Sequence, residues 1–417
     1  MSGTKLADFS RQQLAQIGRE YMLASQFNSR VGYAAVRINH GEEAYKEIAI
    51  ANWMAASPVY TQRMQQAMGF AGGTDVATIF KGLQLECGMT HQYFDVHFEV
   101  LAEDKGRFWL NSCGPLLETE PRGEEAVRVM CHDIEDPTFD ATAVATNPRA
   151  RMRPVHRPPR VPADRQPHCE WSVFIDQEAE ELKEPESCGT IRATKLANIK
   201  IERPANGEPG GMDYYTGPVF EQLQLEQLSH SALVVVCSEL AVQVHLLINS
   251  MMITIAQQYG DSAAHAIAEF QMIGSNWVVS NRLSDWLGCK NGGIEGVLAV
   301  LDIHPAFQPS EYFNIEVQQL DDKRALFSLR DCPASHEEIS HGWYACLERG
   351  KADGLDALVK GIDPRARIVR KDSIRPSWEI IIDESEGAQE ESLPVQIAKG
   401  TVLYQTKLKD HIQLLQI

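Results

Sequence analysis

The sequence predicts an α+β fold of two tandem, divergent copies of one unit, each with N-terminal helices followed by a small antiparallel sheet with a helix across it. Two observations predict it. The first is a set of motifs repeated in one order at a nearly constant offset. Gly41-Glu42 pairs with Gly260-Asp261, 260 − 41 = 219 positions on. Gly72-Gly73 pairs with Gly292-Gly293, one residue further. Tyr93-Phe94-Asp95-Val96 matches Tyr312-Phe313-Asn314-Ile315, and Cys113 matches Cys332, both again at 219. Asn147 to Arg151 is echoed by Asp363 to Arg367, and Trp171 to Asp176 by Trp378 to Asp383. The second observation is that helical periodicity gives way to alternation in each half. The expected division is a first copy over 1–176, a linker or lid over 177–227, and a second copy over 228–417.

Residues 8–40 and 228–259 read as long helices, the second nearly apolar and therefore central. Residues 42–69 and 261–288 read as a helix or helical pair closed by Gly69 and Gly288. Phe94, Val96, Phe98 and Val100 alternate with Asp95, His97 and Glu99, the pattern of a half-buried strand, and Phe313, Ile315 and Val317 repeat that face. Phe108 to Cys113 and Phe327 to Cys332 form the next strand of each copy. Trp171 to Ile175 and Trp378 to Ile382 close each sheet. Between the copies an acidic run, Glu178 to Glu186, leads into a glycine-rich turn, Gly207 to Gly217. That turn carries Tyr214, which reaches substrate if the segment is a lid.

The whole-chain balance narrows the partners. With 417 residues, 44% hydrophobic and 23% charged, the chain can bury sizeable cores. A net charge of −18 opposes nucleic acid or an anionic membrane as main partner. The most apolar stretch, Ala232 to Ala256, is broken by Glu239, Gln243, His245 and Asn249, so a buried helix is expected rather than a membrane span. Met1 to Gln12 lacks a basic-then-apolar run, and the nine cysteines lack disulfide spacing, so a reducing cytoplasm is expected. A small-molecule substrate is the expected partner, and homo-oligomers stay open.

Candidate chemistry concentrates in the first copy, in Cys113, Cys131-His132-Asp133, His156 and His168-Cys169. The second copy keeps only Cys332 and the histidine of Ser340-His341-Gly342, with Arg375-Pro376 in place of His168-Cys169. Thiolates and imidazoles together suit zinc or iron, which makes Cys113, Cys131, His132, His156, His168 and Cys169 the candidate metal ligands. No C-x-x-C pair accompanies them, and free cysteines are commonly small buried hydrophobes. His132 and Asp133 lie in an acidic hexapeptide, Cys131 to Asp136, that would orient a histidine base, or let His132 activate a Cys131 nucleophile. His97 shares a strand face with Asp95 and is a site candidate if that face lines a cavity. Six arginines from Arg149 to Arg165 alternate with prolines in an extended segment. Arg149 and Arg151 either clamp a substrate anion or pair with the chain's own acids. No P-loop, Rossmann fingerprint, G-x-S-x-G or H-E-x-x-H occurs, so no nucleotide cofactor is expected.

Cys113-Gly114-Pro115, then Cys131-His132, then Cys169-x-Trp171 resembles the pattern of L-2-amino-thiazoline-4-carboxylic acid hydrolase-like proteins. More distantly it resembles the 4-vinyl-reductase-type domain. The resemblance covers residues 90–176, with a degenerate echo over 310–383. It implies a small-molecule enzyme that opens or hydrolyses a C–N bond, with Cys131, His132 and Cys169 at the site. The reading is therefore an enzyme acting on a small, carboxylated organic molecule by hydrolysis or ring opening. The alternative is a binder without turnover whose apolar pocket is lined by the 228–259 helix, with Met251 and Met252 shaping it. A purely structural zinc site is a third reading.

Overall fold

A computed structural model describes residues 5–205, 207–338, 341–385, 387 and 390–405. Ser340 and the end of the second copy, 406–417, lie outside the described residues, as do Met1 to Thr4.

The first copy opens with α1 (Arg11–Ala67), started by Ser10, whose hydroxyl accepts the Gln13 amide. It is two helical arms, because Gly41 stands at φ 90 and breaks the helical path. The arms fold back on each other, bringing the Asn52 amide to within 3.0 Å of the Tyr33 hydroxyl. After α2 (Val76–Leu83), strands β1 (Phe94–Ala102) and β2 (Lys105–Cys113) form a hairpin. Two short helices, α3 (Gly114–Thr119) and α4 (Glu124–Arg128), lead to a π turn over Val129–Ile134 and to α5 (Glu135–Val144), which lies between α1 and the sheet. Phe139 of α5 meets the Trp171 ring edge-on at 4.7 Å. Strands β3 (Ala150–His156) and β4 (Cys169–Ile175) complete an antiparallel sheet ordered β1-β2-β4-β3.

Two short helices, α6 (Glu186–Ala193) and α7 (Lys195–Asn198), belong to the segment joining the copies. The second copy then repeats the plan. Helices α8 (His230–Tyr259) and α9 (Asp261–Trp286) form a hairpin about Gly260, at φ 85, the counterpart of Gly41. After α10 (Gly293–Leu301), β5 (Ile315–Asp321) and β6 (Arg324–Leu329) pair. Then α11 (Trp343–Glu348), α12 (Asp353–Ile362), β7 (Ala366–Lys371) and β8 (Ser377–Ile382) give the order β5-β6-β8-β7. The registers agree: Phe98 opposes Phe108 and Phe108 opposes Trp171 in one sheet, as Val317 opposes Phe327 and Phe327 opposes Trp378 in the other. The expected α+β plan, two sheets each preceded by helices, is the one observed.

The structure adds a fourth strand to each sheet, β3 and β7. Residues 150–156 carry alternating arginines and Pro154, a composition that suits only an edge strand, and β3 is an edge. Helix α8 is long and apolar enough to cross a membrane, yet 94% of its apolar window is buried inside the protein, chiefly along α1 and α9. It is a core helix. The segment over 177–227 is a packed strap: Tyr215 donates its hydroxyl to Gln84 Oε1 at 2.7 Å, and the Glu221 carbonyl accepts the Phe98 amide at the β1 edge at 3.0 Å.

The two copies differ in how sheet meets helices. The α1 and α8–α9 hairpins share one apolar core, and the second sheet, through Phe327, Ile380 and Trp378, is continuous with it. The first sheet buries its own cluster against α2, around Phe80, Phe98, Phe108 and Val173.

Candidate functional site

Between the α1 hairpin and the first sheet lies a cavity of about 150 Å³. Tyr33, Tyr45 and Trp53 of α1 give it an aromatic wall, and Leu110, Leu116 and Trp171 close the sheet side. Three sequence candidates meet on its surface: Cys113 at the end of β2, Cys131 in the π turn, and Cys169 at the start of β4. Burial pushes the Cys113 thiol up to about 12, with the nearby Glu135 adding to the shift. Burial also drives Cys131 and Cys169 far above the ordinary thiol range, reinforced by Glu135 and by the other thiols. All three are therefore held as neutral thiols at neutral pH and are not activated nucleophiles.

The cavity's ionisable groups come largely from residues the sequence reading did not single out. Arg30 of α1 donates through Nη2 to the Tyr93 hydroxyl at 3.1 Å and sets its Nε 3.2 Å from the Glu118 carboxylate. Glu86, 5% exposed, has one carboxyl oxygen without a partner among the described residues, and burial pushes it up to about 8. Glu135, at the first turn of α5, also lines the cavity. Burial pushes it up to about 8, with the Arg157 guanidinium opposing and Asp136 adding to the rise. Both carboxyls are thus proton donors near neutrality.

The π turn decides which residues of the acidic hexapeptide reach inward. Its wide turn places Cys131 and Glu135, four apart, on the cavity side. His132 is not among the lining residues and sets its Nε2 2.7 Å from the carbonyl of Pro158, behind the cavity wall, while Asp133 is exposed. Glu135 therefore occupies the place expected for His132 and Asp133. His168 is buried outside the cavity, its Nδ1 accepting the Cys113 amide at 3.2 Å, and burial lowers its affinity for a proton. His156 ends the edge strand β3. The six candidate metal ligands are thus divided, and no three His, Cys, Asp or Glu side chains converge as a metal site among the described residues.

The expected anion clamp also lies elsewhere. Arg149 reaches Glu181 at 3.3 Å and Arg151 reaches the Glu180 carbonyl, so both hold the acidic run of the strap to β3. His97 stacks on Trp109 at 5.2 Å and meets Glu221 at 2.7 Å, on the sheet face opposite Val96 and Phe98. Tyr214 lies under the Arg203 guanidinium, 4.5 Å from ring to cation, and lines no part of the cavity. None of the 228–259 helix lines it either, and Met251 and Met252 are core residues.

A loop over 157–168, present only in the first copy, carries one wall of the cavity through Pro158. Arg157 pairs with Asp136, and Arg160 grips Glu120 through two bonds of 2.9 Å. The second copy joins β7 to β8 through residues 372–376 alone. Its counterpart cavity shrinks to about 20 Å³ between His245, Asn249, Phe313, Trp343 and Tyr344. At the same offset of 260 − 41 = 219, Asn249 replaces Arg30, Met252 replaces Tyr33 and Met272 replaces Trp53. Those three exchanges were the signal in the sequence that could have located the cavity. Compared with family models, curated proteins and solved structures, the chain matches none.

Proposed function

We propose that the chain is an enzyme acting on a small organic molecule bound in the first-copy cavity, with Glu135 giving and taking the proton. The observation that carries this reading is the buried Glu135 carboxyl, pushed up to about 8 by burial and lining a cavity that is nearly closed in the second copy. A cavity of about 150 Å³ accommodates roughly one substituted six-membered ring. Arg30 is neutralised by Glu118, and Glu86 and Glu135 are neutral near pH 7, so the buried end of the ligand is uncharged and accepts hydrogen bonds. A ring amide or ester meets these conditions. Water would add to the ring carbonyl carbon as the acyl bond to the ring nitrogen or oxygen breaks. Glu135 would give its proton to that leaving atom and recover one from the added water, a task suited to a carboxyl poised near the working pH. This keeps the ring opening implied by the resemblance and moves the proton transfer from His132 to Glu135.

The test is a panel of single-ring lactams and lactones scored for melting-temperature rise and product. Glu135→Gln should keep the rise and lose the product. A rise without product in the parent protein would favour a binder, and no rise with any member would overturn the reading.

A further inference from the structure

The duplication also exposes a second, separate feature. In the first copy, Leu223 of the strap is 3% exposed and sits with Gln222 and Gln224 against Met89, His91, Phe94, Val96 and Phe98. Main-chain contact fixes it there: the Phe98 amide donates to the Glu221 carbonyl, and the Gln222 side chain donates to the Val96 carbonyl at 3.1 Å. Only about 20 Å³ of space is left.

The equivalent residues of the second copy, each 260 − 41 = 219 positions on, are Gln308, Ser310, Phe313, Ile315 and Val317. All five line an open groove of about 1400 Å³ along β5. Strand β5 is an edge, and Val317 opposes Phe327 as Phe98 opposes Phe108, so its amide faces the groove as the Phe98 amide faces the strap. The strap borders it through Glu202 and Pro204, but among the described residues no strap backbone pairs with β5 as Glu221 does with Phe98. The rim is acidic, with Glu202, Asp302, Glu311 and Glu316 against Lys5 and Arg330, and Arg330 is paired with Glu316.

We propose that this groove docks an extended segment of a partner protein, adding to β5 with an apolar side chain in the Phe313–Ile315–Val317 seat and a basic residue at the acidic rim. The occupant's form is the one the first copy displays. Its charge follows from the rim. A second copy of this chain is disfavoured, because each chain carries −18 and the groove rim it would meet is itself acidic.

The probe is a fluorescent peptide spanning residues 217–224 with Glu221→Lys, titrated by anisotropy into the full chain. It should bind saturably, about fivefold more tightly than the unsubstituted peptide. Val317→Pro removes the groove-facing amide and should weaken binding about tenfold, with circular dichroism checking the fold. Glu202→Lys with Glu311→Lys, both exposed, should reverse the preference between the two peptides and guards against misfolding of the proline variant. Absence of saturable binding, or binding that neither variant changes, would overturn the proposal. So would concentration-dependent dimers that the peptide fails to displace.

Discussion

The first copy keeps its sheet apart from the shared helical core and leaves a cavity in the gap, whereas the second has closed the same gap. The closing side chains are particular. Trp343 enters the second-copy site and donates its indole N–H to Gln271 at 3.1 Å, and Met252 and Met272 stand where Tyr33 and Trp53 form the first-copy wall. Close packing is the ordinary outcome for a protein interior. A copy that forgoes it, and carries an ion pair and two neutral carboxyls around the vacant space, has kept a costly arrangement that its sibling gave up. The comparison teaches that the fold does not need the cavity.

The largest effect expected from breaking this contrast is on chemistry. Glu135→Gln should reduce turnover about 10²–10⁴-fold, the usual contribution of a positioned acid or base, while leaving the melting temperature within a few degrees. A single-turnover assay on any substrate from the ring panel checks it. Next comes Arg30→Met, which removes the cation from Glu118 and Tyr93. It should cost about 3 kcal/mol in urea unfolding, whereas Asn249→Met in the second copy should cost under about 1 kcal/mol.

A third prediction concerns pH. Glu86 is pushed up from 4.5 to about 8, so between those values the unfolded state binds fewer protons than the folded one. Stability should therefore fall as pH rises from about 5 to 8, and Glu86→Gln should flatten that slope by about 2 kcal/mol. Urea melts at the two pH values measure it directly. The smallest effect belongs to the loop present only in the first copy. Arg160→Ala, losing Glu120, should cost about 1 kcal/mol and speed alkylation of Cys169 several-fold relative to Cys332.

Much of the fold was legible because duplication and periodicity reinforce each other. Gly41 and Gly260 mark helical hairpins, and the alternation from Phe94 to Val100 marks a strand with one buried face. The placing of Cys113 and Cys169 was legible too, since the matched motifs put them at the end of one strand and the start of another, and the resemblance grouped Cys131 with Cys169. What was hidden has physical causes. Arginines and a proline disguise β3, because an edge strand tolerates both. A π turn leaves no periodic signature, so the place of Glu135, rather than His132, in the cavity lining could not be read from six consecutive residues. Arg30, Glu86 and Glu118 are separated by tens of residues and meet only when α1 packs under the sheet. The strap's role as a brace for Arg149 and Arg151 likewise depends on contacts remote in sequence.

The central claim, an open site in one copy and a filled one in the other, is best tested by methyl NMR of methionine-labelled protein. Met89 and Met130 line the first-copy cavity, while Met252 and Met272 occupy the corresponding second-copy positions. Titration with 2-piperidone or benzamide should shift Met89 and Met130 saturably and leave Met252 and Met272 in place. Shifts confined to Met252 and Met272, or no saturable shift at Met89 and Met130 with any single-ring ligand, would contradict the account.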